Sequence, residues 1–264
     1  MASPRLTCLI TGASSGIGAD LATLAAADDF DLVLVARRVT ALRTIAAECE
    51  RKHGVKVTTI PADLGDVTAP RVLAAELRAR NISVHTLINN AGVGANGTVA
   101  ALPLETQLNI IRVNITALTE LTRRLVPMMI ERGSGAVLNV ASTAAFLPGP
   151  HMAVYYASKA YVLSFTEALG EELRGTGVQV SVLCPGPTAT EFAEVAGMSK
   201  SKLFRQRGIT MSSREVARIG WQGLLAGDRV VIAGLKNNLL VQSLRTAPRA
   251  LAVRISALLN ASGS

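Results

Sequence analysis

Tyr155-Tyr156-Ala157-Ser158-Lys159 places two phenols within a helical turn of one ammonium. Residues three or four apart share a helix face, so Lys159 can stand beside either ring. A phenol that ionises near pH 10 is a poor proton donor or acceptor at neutrality. A neighbouring ammonium stabilises the phenolate and draws that value down, making the hydroxyl a general acid–base group. Spacing alone favours Tyr155 only slightly over Tyr156. A second constellation, Thr11-Gly12-Ala13-Ser14-Ser15-Gly16-Ile17-Gly18, suits a phosphate. Glycines let the backbone turn tightly and approach a pyrophosphate, and a helix starting there offers free N–H groups and its positive dipole end. The motif follows an apolar run and opens a helical pattern, the context such a loop requires.

At the end of the second apolar run the chain reads Leu34-Val35-Ala36-Arg37-Arg38. In dinucleotide folds an acid at this point holds the ribose hydroxyls of NAD, whereas an arginine admits a 2′-phosphate. The carboxylate is missing, and a guanidinium matches phosphate with several parallel donors. NADP (NADPH when reduced) is therefore expected over NAD. Arg37 is the stronger phosphate candidate, and Arg38 the one more readily left to solvent.

These groups need a scaffold to bring them together. Seven short runs rich in Val, Ile and Leu, at residues 6–10, 32–36, 56–60, 86–88, 136–140, 179–183 and 230–233, read as strands buried on both faces. Helical patterns fall between them at 17–27, 41–52, 69–80, 105–131, 153–174 and 213–225. The alternation predicts an α/β fold: a single Rossmann-type, doubly wound parallel sheet of about seven strands with helices on both faces. Residues 1–235 are expected to form the dinucleotide-binding catalytic domain, with 188–211 as a substrate lid and 236–264 as a basic helical extension.

The 264 residues are 49% hydrophobic and 17% charged, too apolar for disorder. No run reaches the roughly 18 apolar residues of a membrane span. The segment 6–10 is too short for a secretory signal. Cys8, Cys49 and Cys184 are too scattered for a disulfide framework, and His53, His85 and His151 for a metal site, so a cytoplasmic, metal-free protein is expected. No G-x-S-x-G elbow suggests a serine hydrolase.

The net charge of +8 is local: residues 1–197 carry 16 basic and 17 acidic side chains, residues 198–264 carry 11 and 2. Without a recognition motif or aromatic partners, that excess does not point to nucleic acid. In the lid, Phe192, Val195, Met198, Leu203 and Phe204 can close over a pocket. Lys200, Lys202, Arg205 and Arg207 read first as a solvated face, and second as a site for an acidic substrate such as an acyl group on coenzyme A or a carrier protein. In the tail, Leu251, Ile255, Leu258 and Leu259 share a helix face, with Arg249 and Arg254 elsewhere. That pattern permits peripheral membrane contact. A protein contact, with another subunit or with the chain's own substrate mouth, is expected instead, because the tail lacks a tryptophan or phenylalanine anchor.

Taken in order, the motifs resemble the classical short-chain dehydrogenases/reductases across roughly residues 5–235. Thr11 to Gly18 is similar to T-G-x-x-x-G-x-G, Asp63-Leu64 to the adenine contact, and Asn89-Asn90-Ala91-Gly92 to N-N-A-G. Asn114, Ser142, the Y-x-x-x-K of Tyr155 and Lys159, and Pro185-Gly186 complete the set. The resemblance, not the spacing, selects Tyr155 as the proton donor and acceptor. It implies that Lys159 lowers the tyrosine pKa and holds the nicotinamide ribose. It also implies that Ser142 fixes the substrate oxygen, that Asn114 supports a water chain, and that Thr188 contacts the cofactor. The implied activity is NADP(H)-dependent interconversion of a small-molecule carbonyl and its alcohol, a lipophilic ketone or a 3-oxoacyl compound, by a homodimer or homotetramer. The alternative is an NADP(H)-binding regulatory or scaffold protein without turnover.

Overall fold

The computed structural model describes residues 5–198, 210–246 and 248–260. All seven expected strands are present: β1 (Thr7–Thr11), β2 (Asp31–Ala36), β3 (Val57–Pro61), β4 (Val84–Asn89), β5 (Gly135–Val140), β6 (Val178–Cys184) and, as the seventh of this sheet, β9 (Val230–Ile232). They pair in parallel in the order β3-β2-β1-β4-β5-β6-β9. Successive side chains of a strand point to opposite faces, and here both faces are covered. Cys8 and Ile10 of β1 and Leu32 and Leu34 of β2 join one core, against α1 (Gly16–Ala27), α2 (Val39–His53) and α8 (Ser213–Ala226). Leu9, Val33 and Val35 join the other, against α3 (Ala69–Ala79), α5 (Leu118–Arg132) and the far end of α6 (Ala153–Glu172). Each fully buried leucine contributes about 1.5–3 kcal/mol, which explains why the strands read as unbroken apolar runs.

The helical pattern at 105–131 is not one regular helix. It divides into α4 (Leu104–Ile111), a π-helical stretch (Arg112–Ala117) and α5. The wide turn carries buried Asn114, whose side chain bonds to the backbone of Val93 rather than facing solvent. A short pair, β7 (Thr188–Ala189) with β8 (Met211–Ser212), lies beyond the main sheet and flanks α7 (Phe192–Val195).

Two helices, α9 (Leu235–Thr246) and α10 (Arg249–Asn260), lie over the open end of the cleft. Ala252, Ser256 and Asn260 of α10, four residues apart, are buried, while Ile255, which also lines the cleft, and Leu258 of the expected apolar face are exposed. The side chains of Leu251 and Leu259 lie outside the described residues. The loop at 148–150 has carbonyls without sheet or helix partners, and buried carbonyls require donors. Ser256 Oγ donates to Pro148 O at 2.5 Å and Asn260 Nδ2 to Pro150 O at 3.1 Å. Polar satisfaction and the close approach that small residues allow outweigh the burial of two aliphatic side chains.

Candidate active site

The C-terminal ends of β1, β2, β4, β5 and β6 open into a cleft of about 510 Å³. It straddles β1 and β4, where the strand order changes direction and crossovers leave opposite faces, the usual place for a ligand in an open α/β sheet. At one end the glycine loop is fastened to the segment after β4. Thr11 Oγ1 accepts from the N–H groups of Asn90 and Ala91, both at 3.0 Å, and Asn90 Nδ2 donates to Thr11 O and Gly12 O. Gly12 has φ +66°, and a Cβ there would lie 2.8 Å from the Ala91 Cα, so backbone conformation and space both exclude a side chain. Ser15, the N-cap of α1, makes no side-chain cap, and Ser14, Ser15, Gly16 and Ile17 line the cleft. A helix N-terminus facing a cleft without a cap suits a pyrophosphate, so the residues present fit a dinucleotide.

Arg38 engages this loop, whereas the sequence favoured Arg37. Its Nη2 donates to Ser14 Oγ at 3.1 Å and Ser15 Oγ at 2.7 Å, and it pairs with Glu191 at 2.8 Å. Arg37 also lines the cleft, exposed. A long side chain is placed by its partners, and one of those of Arg38 lies 153 positions away. Glu191, absent from the sequence expectations, also accepts from Ser15 Oγ at 3.0 Å. Hydrogen bonds from Arg38 and Ser15 hold its carboxyl below the usual range. Asp63 accepts from Gly65 N at 2.9 Å, and Asp63 and Leu64 line the same end.

At the middle of the cleft Tyr155 is buried, and Ser142 lines the same stretch of wall. Ser142 follows β5; its Oγ accepts from Ala144 N at 3.1 Å and lies 3.3 Å from Pro185 O. Lys159 stands one turn from Tyr155, with its Nζ 2.8 Å from Val140 O and 5.9 Å from the centre of the Tyr155 ring. The expected lowering of the tyrosine pKa is not what this arrangement gives. Burial pushes the phenol above its ordinary value, and the nearby Ser142 hydroxyl offsets only part of that. Burial also pulls Lys159 down to about 8. The ammonium bonds a carbonyl and faces the ring, so desolvation dominates both groups.

Asn114 holds this centre in place. Its Oδ1 accepts from Val93 N at 2.9 Å, and its Nδ2 donates to Val93 O and Ser158 Oγ, each at 2.9 Å. One amide thus joins the segment after Gly92 to the helix that carries Tyr155 and Lys159. Gly92 permits the approach, because a Cβ there would stand 3.2 Å from Lys159 Nζ. Tyr156, the competing phenol, is drawn away: its hydroxyl donates to Asn260 Oδ1 at 3.0 Å.

The far end is closed by apolar groups. Phe192 lies 5.4 Å from Tyr155, ring centre to ring centre, and Val195, Met198, Leu240 and Ile255 line the mouth. Thr188 Oγ1 donates to Gly186 O at 2.9 Å. Asn237, another residue the sequence reading missed, packs so tightly on the Pro185-Gly186 turn that a Cβ on Gly186 would lie 2.4 Å from its amide. Its own amide donates to Ala233 O, four residues earlier, whereas the contact with Gly186 joins distant segments and has no local sequence signal. Lys200, Lys202, Leu203, Phe204, Arg205 and Arg207 lie outside the described residues.

Residues 6–200 match the short chain dehydrogenase family profile. The chain is 39% identical over 182 residues to the ketoacyl reductase HetN of Nostoc sp., covering 68% of this chain and 62% of that protein. It is 36% identical to a putative ketoacyl reductase of Streptomyces coelicolor, covering 70% and 71%. The match to a very-long-chain 3-oxoacyl-CoA reductase of Laccaria bicolor spans only 52% of that longer protein, with 35% identity over 66% of this chain. Among solved structures, a short-chain dehydrogenase from Sphingobium yanoikuyae in complex with NADPH aligns with a TM-score of 0.83 and 33% identity, covering 93% of this chain and 94% of that one. With the profile spanning most of the sheet and the cleft motifs in family order, this chain belongs to the short-chain dehydrogenase family.

Proposed function

We propose that the protein is an NADP(H)-dependent oxidoreductase interconverting a carbonyl compound and its secondary alcohol, with a lipophilic ketone or a 3-oxoacyl compound as substrate. The observation that carries the reading is that Ser142, Tyr155 and Lys159, the last with its Nζ 5.9 Å from the centre of the Tyr155 ring, line one cleft together with the glycine loop. The nicotinamide supplies or takes the hydride when bound. Ser142 holds the substrate oxygen, and Tyr155 passes it a proton during reduction or accepts one during oxidation. Burial keeps the phenol protonated at neutral pH, so its proton is released only as the charge left behind is stabilised. The phenolate left behind is stabilised by the Ser142 hydroxyl and the Lys159 ammonium. Lys159 also holds the nicotinamide ribose, and Asn114 keeps the segment after Gly92 in register with α6.

Gly12, Ser14, Ser15, Gly16, Ile17 and Gly18 receive the pyrophosphate, with Arg37 and Arg38 toward the 2′-phosphate. Asp63, Leu64, Asn90, Ala91 and Gly92 face the adenosine side, and Pro185, Gly186 and Thr188 face the nicotinamide. The absence of a carboxylate after β2 and the NADPH-bound relative support the phosphorylated cofactor. The apolar mouth and the relatives named ketoacyl reductases support the substrate class. Exposed Leu104, Leu108, Ile111 and Tyr161 on the long helices support assembly as a homodimer or homotetramer.

A carbonyl-compound screen followed by NADPH and NADH absorbance in parallel tests the proposal. Turnover with NADPH is expected, falling by about 10²–10⁴ in Tyr155→Phe while NADPH affinity stays within a few-fold. Failure to bind either dinucleotide, or full activity in Tyr155→Phe, would overturn it.

A further inference from the structure

Among the described side chains of the two helices over the cleft mouth, Leu235, Leu239 and Leu258 turn outward. In α9, Asn237 and Val241 are buried, whereas Leu235 and Leu239 stand in the open, Leu239 at 63% exposure. In α10, Ala252, Ser256 and Asn260 are buried and Leu258 is 66% exposed. Val195, Leu240 and Ile255 are each exposed and also line the cleft, so the outer leucines continue directly into the rim of the pocket. Exposed basic residues accompany them. Lys236 precedes the α9 stripe, Arg249 opens α10, and Arg254 sits one turn before Leu258 on the same face.

We propose that α9 and α10 form a docking surface for an anionic lipid bilayer, with the pocket mouth facing the membrane. The occupant follows from charge and shape. Exposed Lys236, Arg249 and Arg254 lie on α9 and α10, whose sequences contain no acidic residue, so a two-fold contact with a second copy would set one basic surface against itself. Leu235, Leu239 and Leu258 are exposed and lie outside the cleft lining. Fluid hydrocarbon can cover such side chains without the shape complementarity that a folded partner requires. The helices carry no aromatic anchor, so attachment depends jointly on leucine insertion and on attraction to anionic headgroups, and it is reversible and sensitive to salt. No described helix is long and apolar enough to cross a membrane, which leaves adsorption as the mode of contact. A carbonyl substrate with a long aliphatic chain then passes from the bilayer through Val195, Leu240 and Ile255 toward Tyr155. That last step rests on the reductase reading; the docking does not.

The test is sedimentation of the full chain with vesicles of phosphatidylcholine alone or mixed with phosphatidylglycerol. Binding is expected only to the anionic vesicles, falling at least tenfold between about 50 mM and about 500 mM salt. The double variant Leu239→Ser, Leu258→Ser, whose positions lie outside the cleft lining, should lose about tenfold or more in vesicle affinity. Its turnover of a water-soluble ketone should match the parent and thereby report an intact fold. No binding of the parent at low salt, or equal binding by the double variant, overturns the proposal. So does a parent dimer that the same substitutions convert to monomer without any vesicle binding, because the leucine face then belongs to a second copy. Sedimentation reads docking without turnover, so failure of the reductase reading would leave this result standing, and the reverse.

Discussion

The two ends of the cleft are held together by different kinds of contact. At the cofactor end, backbone is approached closely: Gly12 lies against Ala91, and the short Thr11 side chain accepts from the N–H groups of Asn90 and Ala91. At the substrate end, side chains from a late helix hold a loop carbonyl and one phenol, as that of Asn260 does with Pro150 and Tyr156, while its own carbonyl accepts from Asn96 Nδ2. The first arrangement tolerates almost no change in side-chain volume. The second can be rebuilt with different side chains, and so it is where one fold can serve different substrates.

The largest expected effect is at the rigid end. Gly12→Val introduces a branched side chain at φ +66° against the Ala91 backbone, and should abolish dinucleotide binding and lower stability by about 3 kcal/mol or more. Fluorescence titration and thermal melting check this. Wild-type affinity in that variant would break the contrast.

The Lys159 ammonium gives a second test, placed midway between the two ends. Free-enzyme activity should fall as pH rises through about 8, where the buried ammonium loses its proton. Stability should move the other way. Between about 8 and about 10 the unfolded chain, with an ordinary lysine, binds more protons than the folded one, so unfolding free energy rises with pH. Lys159→Met should lose both trends, read by a pH–rate profile and by denaturant melts. Parallel loss of activity and stability would show that general unfolding, not this lysine, is being measured.

Asn260→Ala should raise KM about tenfold, with NADPH affinity unchanged, because it releases α10 and Tyr156 from the mouth but touches nothing at the glycine loop. A kcat/KM split with separate cofactor titration decides it. An equal change at both ends would erase the distinction between them.

The smallest effect concerns Glu191, which sits on Arg38 and Ser15 as an anion would. Glu191→Gln should tighten NADPH binding by a few-fold, with less effect on NADH, since it removes a competing carboxylate from the phosphate end. The exposed pair is screened, so the difference should shrink in salt. A weaker NADPH complex would instead make Glu191 a clasp over the bound cofactor.

Much of this architecture was legible in the chain. Unbroken apolar runs gave all seven strands because both faces of a parallel sheet are buried, and burial is a local requirement repeated along each strand. Thr11 to Gly18 was readable because φ and close approach depend on residues adjacent in sequence. Asn114 was readable only as a position within a motif; its π turn and its bonds to Val93 depend on packing between segments.

Composition and local spacing determined the sheet, the glycine loop and the small set from which a proton donor could come. The tertiary structure decided which arginine meets Ser14, which phenol is left for Ser142, and which face of α10 packs inward. Those three choices depend on partners 24 to 153 residues away in sequence, among them loop carbonyls that no helix pattern can anticipate. A long polar side chain takes the orientation in which its hydrogen bonds are satisfied, and only the folded chain supplies the acceptors.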